Sequence, residues 1–342
     1  MRNQKIIQYM KEFFKIVGTS GAILALLCLL IKGCNYLVVD DANSYTRLTL
    51  HDFYESEEKI ETIFLGTSHC FRAYDPTLYG ELTGESSYNL GSSSQNIDTS
   101  YYLLKEALKH QDIKKVYLDM YHVFLFFNPD NRELVEANII SDYMKPSLNK
   151  VQFILTRSDS KHYTNSFFPF RRDWQLLGDF EYLRSNIEKK QQERYTQYQP
   201  VVYDDEQYVA KGFVASTAIL NVEEHQWIPK SKPVDLSEDA AFAKSYLRKI
   251  AALCEKENIE LIFLTAPSYK EYIEEMDSYE NVHQLIQNLA DEYGVEYLDF
   301  NEYPEEKLNL GPEDFMDADH LNGYGAKKVT ECLANDILNK AN

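Results

Sequence analysis

The stretch at residues 61–70 reads ETIFLGTSHC, and it decides the expectation for the fold. Its apolar part stops at Gly66, which is the pattern of a buried β-strand that ends in a turn. Open α/β sheets place functional groups just beyond the carboxyl ends of their strands. Ser68, on that turn, is therefore the first candidate nucleophile. A serine that only caps a turn or a helix is the alternative.

A second polar stretch, DADHLNGYGA at residues 317–326, precedes a helical pattern near the other end of the chain. Asp317 and His320 are three residues apart, so one short loop can aim the imidazole at a serine while the aspartate fixes the ring tautomer. Asp319 is a rival for the role of Asp317. An early serine and a late Asp-x-x-His therefore predict a catalytic triad.

These two motifs, GTSH at 66–69 and DxxHLN at 317–322, resemble those of the SGNH (GDSL-like) hydrolase superfamily. They look most like its membrane-anchored acyl-transfer branch, which includes the D-alanyl-lipoteichoic acid biosynthesis protein and the alginate-type O-acetylation proteins. The resemblance covers about residues 58–126 and 255–340. It implies that Ser68 is the nucleophile, His320 the general base and Asp317, rather than Asp319, the orienting acid.

The same resemblance implies an oxyanion hole built from the N–H of the nucleophile, a glycine after the second strand and an asparagine after the third. Gly91 falls at the glycine position. Residues 119–122 read DMYH where Gly-x-Asn-Asp is expected, so the asparagine is missing. Asn96, at the start of the next helix, could supply the amide instead, or the N-terminus of that helix could contribute backbone donors. Plain helix capping is the alternative role of Asn96.

Strand-like and helix-like segments alternate over most of the chain. The predicted strands lie at residues 61–65, 86–90, 115–121, 259–265 and 295–300. The predicted helices lie at residues 97–110, 240–257, 282–293 and 323–338. This order predicts an α/β fold, a flavodoxin-like three-layer α/β/α sandwich around a parallel sheet of about five strands.

Residues 128–236 interrupt the alternation between the two predicted parts of the catalytic domain, 58–127 and 237–342. This segment is rich in aromatic and charged residues and contains a helix candidate at 179–197. It is too long for a bare loop, so we expect a helical insertion with structure of its own. The insertion could form a lid or a substrate platform over the strand ends, or serve only as a scaffold.

The N-terminal region predicts a transmembrane anchor at residues 1–40, followed by a linker at 41–57. Residues 16–31 carry no charge and can cross a bilayer with their apolar flanks. Basic residues precede this stretch and two aspartates follow it, which places the N-terminus in the cytoplasm and the rest outside. No small-x-small cleavage site follows, so a retained anchor is favoured over a cleaved signal. A weak lipoprotein-like box around Cys34 is a further alternative.

The composition excludes several other classes of protein. The net charge of −19 over 342 residues argues against a nucleic acid or an anionic membrane surface as a partner. Five cysteines without a C-x-x-C spacing predict neither a disulfide framework nor a metal site. His162, His225 and His283 have no ligand-like neighbours in the sequence, so neither a metal nor a cofactor is expected.

The anchor and the motifs together predict an extracytoplasmic acyl-transfer enzyme. An acetyl, D-alanyl or similar group would pass from a multi-spanning membrane acyltransferase to Ser68 and then to a cell-surface glycan or teichoic acid. A hydrolytic carbohydrate esterase with the same triad is one alternative. A non-catalytic scaffold or binding protein of a polymer-modification complex is another, which the missing asparagine keeps open.

Overall fold

The computed structural model describes residues 2–122, 134–223, 240–276 and 279–341. The chain divides into two compact units. The α1 unit contains Met1–Ala42 and Lys161–Gln197, and the sheet unit contains Asn43–Ser160 and Tyr198–Asn342. The predicted domain borders at 127/128 and 236/237 lie outside the described residues.

The sheet unit is built on a five-stranded parallel sheet with the order β2-β1-β3-β7-β8. Two sheets contain all the strands named here: β1 (Thr62–Leu65), β2 (Ser87–Asn89), β3 (Lys115–Asp119), β4 (Val202–Tyr203), β5 (Glu206–Ala210), β6 (Phe213–Ser216), β7 (Glu260–Thr265) and β8 (Glu296–Asp299). The five-stranded order is the doubly wound, flavodoxin-like one, and it confirms the predicted fold class.

Helices account for much of the remaining structure. They are α1 (Arg2–Val38), α2 (Tyr45–Glu55), α3 (Ser68–Ala73), α4 (Pro76–Thr83), α5 (Ile97–Ala107), α6 (Leu134–Ser141), α7 (Leu148–Arg157), α8 (Tyr163–Phe167), α9 (Phe180–Gln191), α10 (Glu193–Thr196), α11 (Ala240–Glu257), α12 (Lys270–Glu274), α13 (Tyr279–Tyr293) and α14 (Gly323–Ala341). Short 3-10 turns lie at Pro169–Arg171, Trp174–Gly178, Phe300–Glu302 and Pro312–Asp314.

Alternating side chains of the parallel strands enter two separate cores. Ile63 and Leu65 of β1 face a core shared with α5, α11 and α13, whereas Phe64 faces a core shared with α4 and α14. All four residues of β1 are buried, as expected when helices cover both faces of a parallel sheet. The two cores place helices on both sides of the sheet, which is the predicted three-layer arrangement.

Two local expectations were wrong. No helix was predicted between the first two strands, yet α3 and α4 lie there. Helices of six and eight residues carry too few apolar repeats to be recognised from periodicity. The segment at 128–236 is also not purely helical, since β4, β5 and β6 form an antiparallel sheet. Lys211 and Gly212 turn between β5 and β6 with φ of 49° and 84°, the positive values that tight hairpins require. The helix candidate at 179–197 corresponds to α9 and α10.

In the α1 unit, Gln8–Val38 is long and apolar enough to cross a membrane, with a mean hydropathy of 2.2 in its most apolar window. None of the residues in that window is buried within the protein. A membrane span and a signal sequence both have this length and composition.

Candidate active site

Ser68 is the first residue of α3, and only Gly66 and Thr67 separate it from the carboxyl end of β1. Thr67 caps the helix, since its Oγ1 accepts the N–H of His69 at 3.1 Å. Gly66 makes the turn possible, because its φ is 155° and a Cβ there would lie 2.3 Å from the Cβ of Asp119 at the end of β3. Only glycine lets the two strand ends approach this closely.

The structure brings Ser68 and His320 together across 252 residues of sequence. Ser68 Oγ lies 2.8 Å from His320 Nε2. The loop carrying His320 is held by Asn322, whose side-chain amide donates to the carbonyls of Ala218 and Glu313 at 2.9 and 2.7 Å. Asn322 Oδ1 also accepts the N–H of Tyr324 at the start of α14. The asparagine of the DxxHLN motif therefore fixes the loop that aims the imidazole.

Two carboxylates, not one, face the other ring nitrogen of His320. Both oxygens of Asp317 lie 3.1 Å from His320 Nδ1, and Oδ1 of Asp319 lies 3.2 Å from the same atom. Asp317 Oδ1 also accepts the backbone N–H groups of residues 319 and 320. Burial favours neutral imidazole, but the two carboxylates outweigh it and raise the pKa of His320 to about 9.

Asp319 has a second set of partners. Its Oδ2 accepts the hydroxyl of Tyr121 at 2.9 Å and lies 3.3 Å from His69 Nε2. Although burial favours the protonated acid, hydrogen bonds to His320 and His69 and the charge of His320 hold the pKa of Asp319 well below its ordinary value. The carboxylate is therefore ionised and ties His320 to the end of β3.

His69 is a second histidine at the centre of the site. Its ring stacks between those of Tyr121 and His320, with centroid distances of 3.7 and 4.2 Å. Complete burial lowers the pKa of His69 to about 4, so the ring is neutral. His122, which directly follows Tyr121, is also buried, and burial lowers its pKa to about 4.

A buried hydrogen-bonded chain continues from His69 to Asp119 through Thr67. His69 Nδ1 lies 3.1 Å from Thr67 Oγ1, which lies 2.9 Å from Asp119 Oδ2. The Thr67 hydroxyl donates to Asp119 Oδ2, and the Thr67 N–H donates to the same oxygen at 3.2 Å. Burial raises the pKa of Asp119 to about 6, against the lowering effect of these two hydrogen bonds.

The two residues expected to complete an oxyanion hole have other contacts. The Gly91 N–H donates to Asn89 Oδ1 at 2.9 Å, so in this arrangement it cannot serve an oxyanion as expected. A Cβ on Gly91 would lie 2.9 Å from the same oxygen and 3.2 Å from the backbone of Phe71, which gives the glycine a packing reason. Asn96 is buried at the N-cap position of α5, without a side-chain cap bond, and its amide donates to the Ser94 carbonyl at 3.4 Å.

Two groups of metal-capable side chains occur in the described part of the chain. One is His69, Asp319 and His320 of the site itself. The other is His283, Asp299 and Glu302, so the fold brings two carboxylates close to His283 that are distant from it in the sequence. His283 Nδ1 lies 2.8 Å from Asp299 Oδ2, and both oxygens of Asp299 accept the Tyr279 hydroxyl at 2.8 Å. The Asp299 carboxylate is thus already satisfied by hydrogen bonds. His162 contributes to neither group, and His225 lies outside the described residues.

Sequence reasoning named Asp319 only as a rival of Asp317, and it missed the ring stacking of His69 and the hydrogen bond from Tyr121 to Asp319. The signals were present as the histidine directly after Ser68 and the second aspartate directly before His320. Neither residue can be assigned a role from the sequence alone. The contacts form only when the loop of residues 315–322 folds against α3, which brings His320 onto His69.

Comparisons with known proteins give a distant structural likeness. No protein-family model and no curated protein matches the sequence. Among solved structures, a GDSL-like lipase from Bacteroides thetaiotaomicron VPI-5482 aligns with 88% of this chain and 100% of its own, at 8% identity and a TM-score of 0.37. An acylhydrolase described as putative, from Bacteroides fragilis NCTC 9343, aligns with 89% and 100%, at 9% identity and a TM-score of 0.37. At this distance the likeness says nothing about the activity of this chain.

Proposed function

We propose that this protein is a serine-dependent acyl-transfer enzyme that forms a covalent ester on Ser68. One observation carries the proposal: Ser68 Oγ lies 2.8 Å from His320 Nε2 while carboxylates face Nδ1 of the same ring. A hydroxyl, a base and an orienting acid in this order are the groups that nucleophilic acyl transfer requires. Asp317 is the proposed orienting acid, because its Oδ1 is fixed by two backbone N–H groups.

The proposed reaction has two proton-balanced halves. Ser68 Oγ attacks the acyl carbonyl as its proton passes to His320 Nε2, and the same proton then leaves with the departing alcohol or thiol. In the second half, His320 takes the proton of an acceptor hydroxyl as that oxygen attacks the acyl-serine. Ser68 recovers its proton when the product ester departs.

The oxyanion of each half needs preorganised donors. Ser68 is the first residue of α3, and the first N–H groups of a helix have no intrahelical acceptor. We assign the Ser68 N–H as one donor. Gly91 contributes only if Asn89 releases its N–H, and Asn96 remains the candidate for a side-chain amide donor.

The finer proposal concerns location and acceptor. We propose that α1 is a retained anchor with the N-terminus in the cytoplasm, so that the sheet unit works outside the cell membrane. The donor is then a multi-spanning acyltransferase in the same membrane, and the acceptor is a hydroxyl of a cell-surface glycan or teichoic acid. The apolar span Gln8–Val38 and the basic residues before it support this orientation.

Hydrolysis is the competing outcome at the same site, because water can replace the acceptor hydroxyl in the second half of the reaction. The test uses the full chain in detergent micelles, acetylated with p-nitrophenyl acetate and freed of excess reagent. Loss of the acetyl group is followed with and without a teichoic acid or surface-glycan preparation. Faster loss with acetyl recovered on the polymer supports transfer, whereas unchanged loss with all acetyl recovered as acetate contradicts it and leaves an esterase.

A further inference from the structure

The α1 unit exposes a group of large apolar side chains between α8 and α9. Trp174 is 63% exposed and Phe180 is 83% exposed, and Leu177 is exposed as well. The 3-10 turns Pro169–Arg171 and Trp174–Gly178 bury none of their residues. We call residues 163–180 the collar. Among its aromatic residues, Trp174 and Phe180 present most of their surface to solvent.

The collar is attached to α1 at a defined height. The N–H of Phe170 donates to Asn35 Oδ1 at 2.9 Å, and both 3-10 turns of the collar contact α1. Asn35 follows Lys32, the first charged residue after the charge-free stretch 16–31, by three residues. At a rise of about 1.5 Å per residue, the attachment point lies roughly 5 Å beyond that charge. This is the level of lipid head groups if the charge-free stretch occupies the bilayer core.

A second set of contacts makes the attachment rigid. Helix α9, which begins at the last residue of the collar, closes the C-terminal end of α1. Lys190 is buried, donates to the carbonyl of Tyr36 at 3.0 Å and pairs with Asp41 at 2.9 Å. Asn186 donates to the carbonyl of Leu37 at 2.8 Å. The free carbonyls at the end of the helix are thereby satisfied, so the collar holds its height relative to α1.

We propose that the collar lies in the head-group interface of the membrane that α1 crosses, with Trp174 and Phe180 inserted among the lipids. This proposal depends on α1 being a membrane span, as in the proposed function. Tryptophan favours this layer, since its ring is largely apolar and its N–H can bond to water or head groups. Phenylalanine is a usual apolar side chain of segments that lie in the interface. Exposed Arg171 fits the same layer, because a guanidinium pairs with lipid phosphate. The collar would fix both the depth and the rotation of the end of α1.

The test measures the depth of Trp174 in the full chain reconstituted in phosphatidylcholine nanodiscs. The chain has two tryptophans, so Trp227→Phe leaves Trp174 as the sole emitter. The lipids carry bromine, a contact quencher, either near the head-group end of the acyl chains or near their methyl end. We expect strong quenching of Trp174 by the first lipid and weak quenching by the second. Equal emission in brominated and plain lipid would overturn the proposal, and would favour a protein partner for the collar.

A matched variant separates failure of the collar from failure of the anchor. Leu24→Trp in a Trp174→Phe, Trp227→Phe background places the only tryptophan at the middle of the charge-free stretch. Quenching of this variant by the deeply brominated lipid, without quenching of Trp174, rejects the collar and keeps the anchor. No quenching of either rejects the anchor. Should Trp227→Phe fail to fold, the difference in quenching between the natural chain and Trp174→Phe gives the same information.

Discussion

Replacing one of the two carboxylates at His320 tests which of them orients the base. The pKa of His320 stands at about 9, above its ordinary 6.5, because Asp317 and Asp319 both favour the charged ring. Catalysis as a base needs the neutral ring, so the rate of Ser68 acylation should rise with pH up to about 9. If the two carboxylates share the effect, Asp319→Asn lowers the pKa of His320 by roughly one pH unit.

Asp319→Asn should therefore increase the rate of Ser68 acylation at neutral pH. A base with a pKa of about 9 is ~1% neutral at pH 7, whereas one with a pKa of about 8 is ~10% neutral. We therefore expect acylation at pH 7 to become up to ~10-fold faster, with a high-pH plateau somewhat below that of the parent. Orientation survives, because both oxygens of Asp317 still face Nδ1.

Asp317→Asn should behave differently. Its remaining oxygen is required by the backbone N–H groups of residues 319 and 320, so the amide NH₂ would face His320 Nδ1 and select the wrong tautomer. The acylation rate on the high-pH plateau should fall by about 10⁴, because the ring is held in the wrong tautomer.

The assay for both variants is the initial release of p-nitrophenolate from p-nitrophenyl acetate between about pH 5 and about pH 10. Release by Ser68→Ala is subtracted at each pH, since the reagent also hydrolyses spontaneously. The reasoning is refuted if Asp319→Asn loses its plateau as severely as Asp317→Asn without moving the acid limb of the profile. In that case Asp319 is the orienting acid.

Two further predictions concern stability. Gly66→Ala should destabilise the fold by about 2–6 kcal/mol, the sum of backbone strain and overpacking against Asp119. Gly84→Ala is the control: its φ is 78° but no atom lies near its Cβ, so it should cost only about 1–2 kcal/mol. Similar denaturant midpoints for the two variants would contradict this reading of the turn. His122 has a folded pKa of about 4 against an ordinary 6.5, so the stability it contributes is present above pH 6.5 and is lost as pH falls toward 4. His122→Gln should therefore flatten the decline of the melting temperature in that window, and an unchanged decline would show that His122 is not its source.

The parallel sheet could be read from the sequence because its strands are short apolar runs ended by glycine, proline or polar turns. Residues 61–65 and 259–265 are examples, and both correspond to buried strands. The alternation of such runs with amphipathic helices leaves few topologies for a doubly wound sheet. The short helix α3 and the hairpin β5–β6 depend on local turns that carry no such periodic signal.

The candidate site was only partly predictable, for a physical reason. Ser68 and His320 could be paired from the sequence because acyl transfer needs a hydroxyl nucleophile and an imidazole base. The structure places their side chains in contact. The stacking of His69 on His320 depends on how one loop folds against one helix, which spacing in sequence does not encode. At Gly91 the resemblance and the contacts disagree. The position matches the glycine expected in the oxyanion hole, but its N–H already donates to Asn89.

The most direct test of a nucleophilic Ser68 is the intact mass of the full chain after brief exposure to p-nitrophenyl acetate, followed by peptide mapping. The parent protein should gain a single acetyl group located on Ser68. Ser68→Ala should gain none, and His320→Ala should gain it far more slowly. An equal acetyl gain in the parent and in Ser68→Ala, or no serine-linked adduct at any pH up to about 9, would contradict the account and leave a non-catalytic binding or scaffold protein.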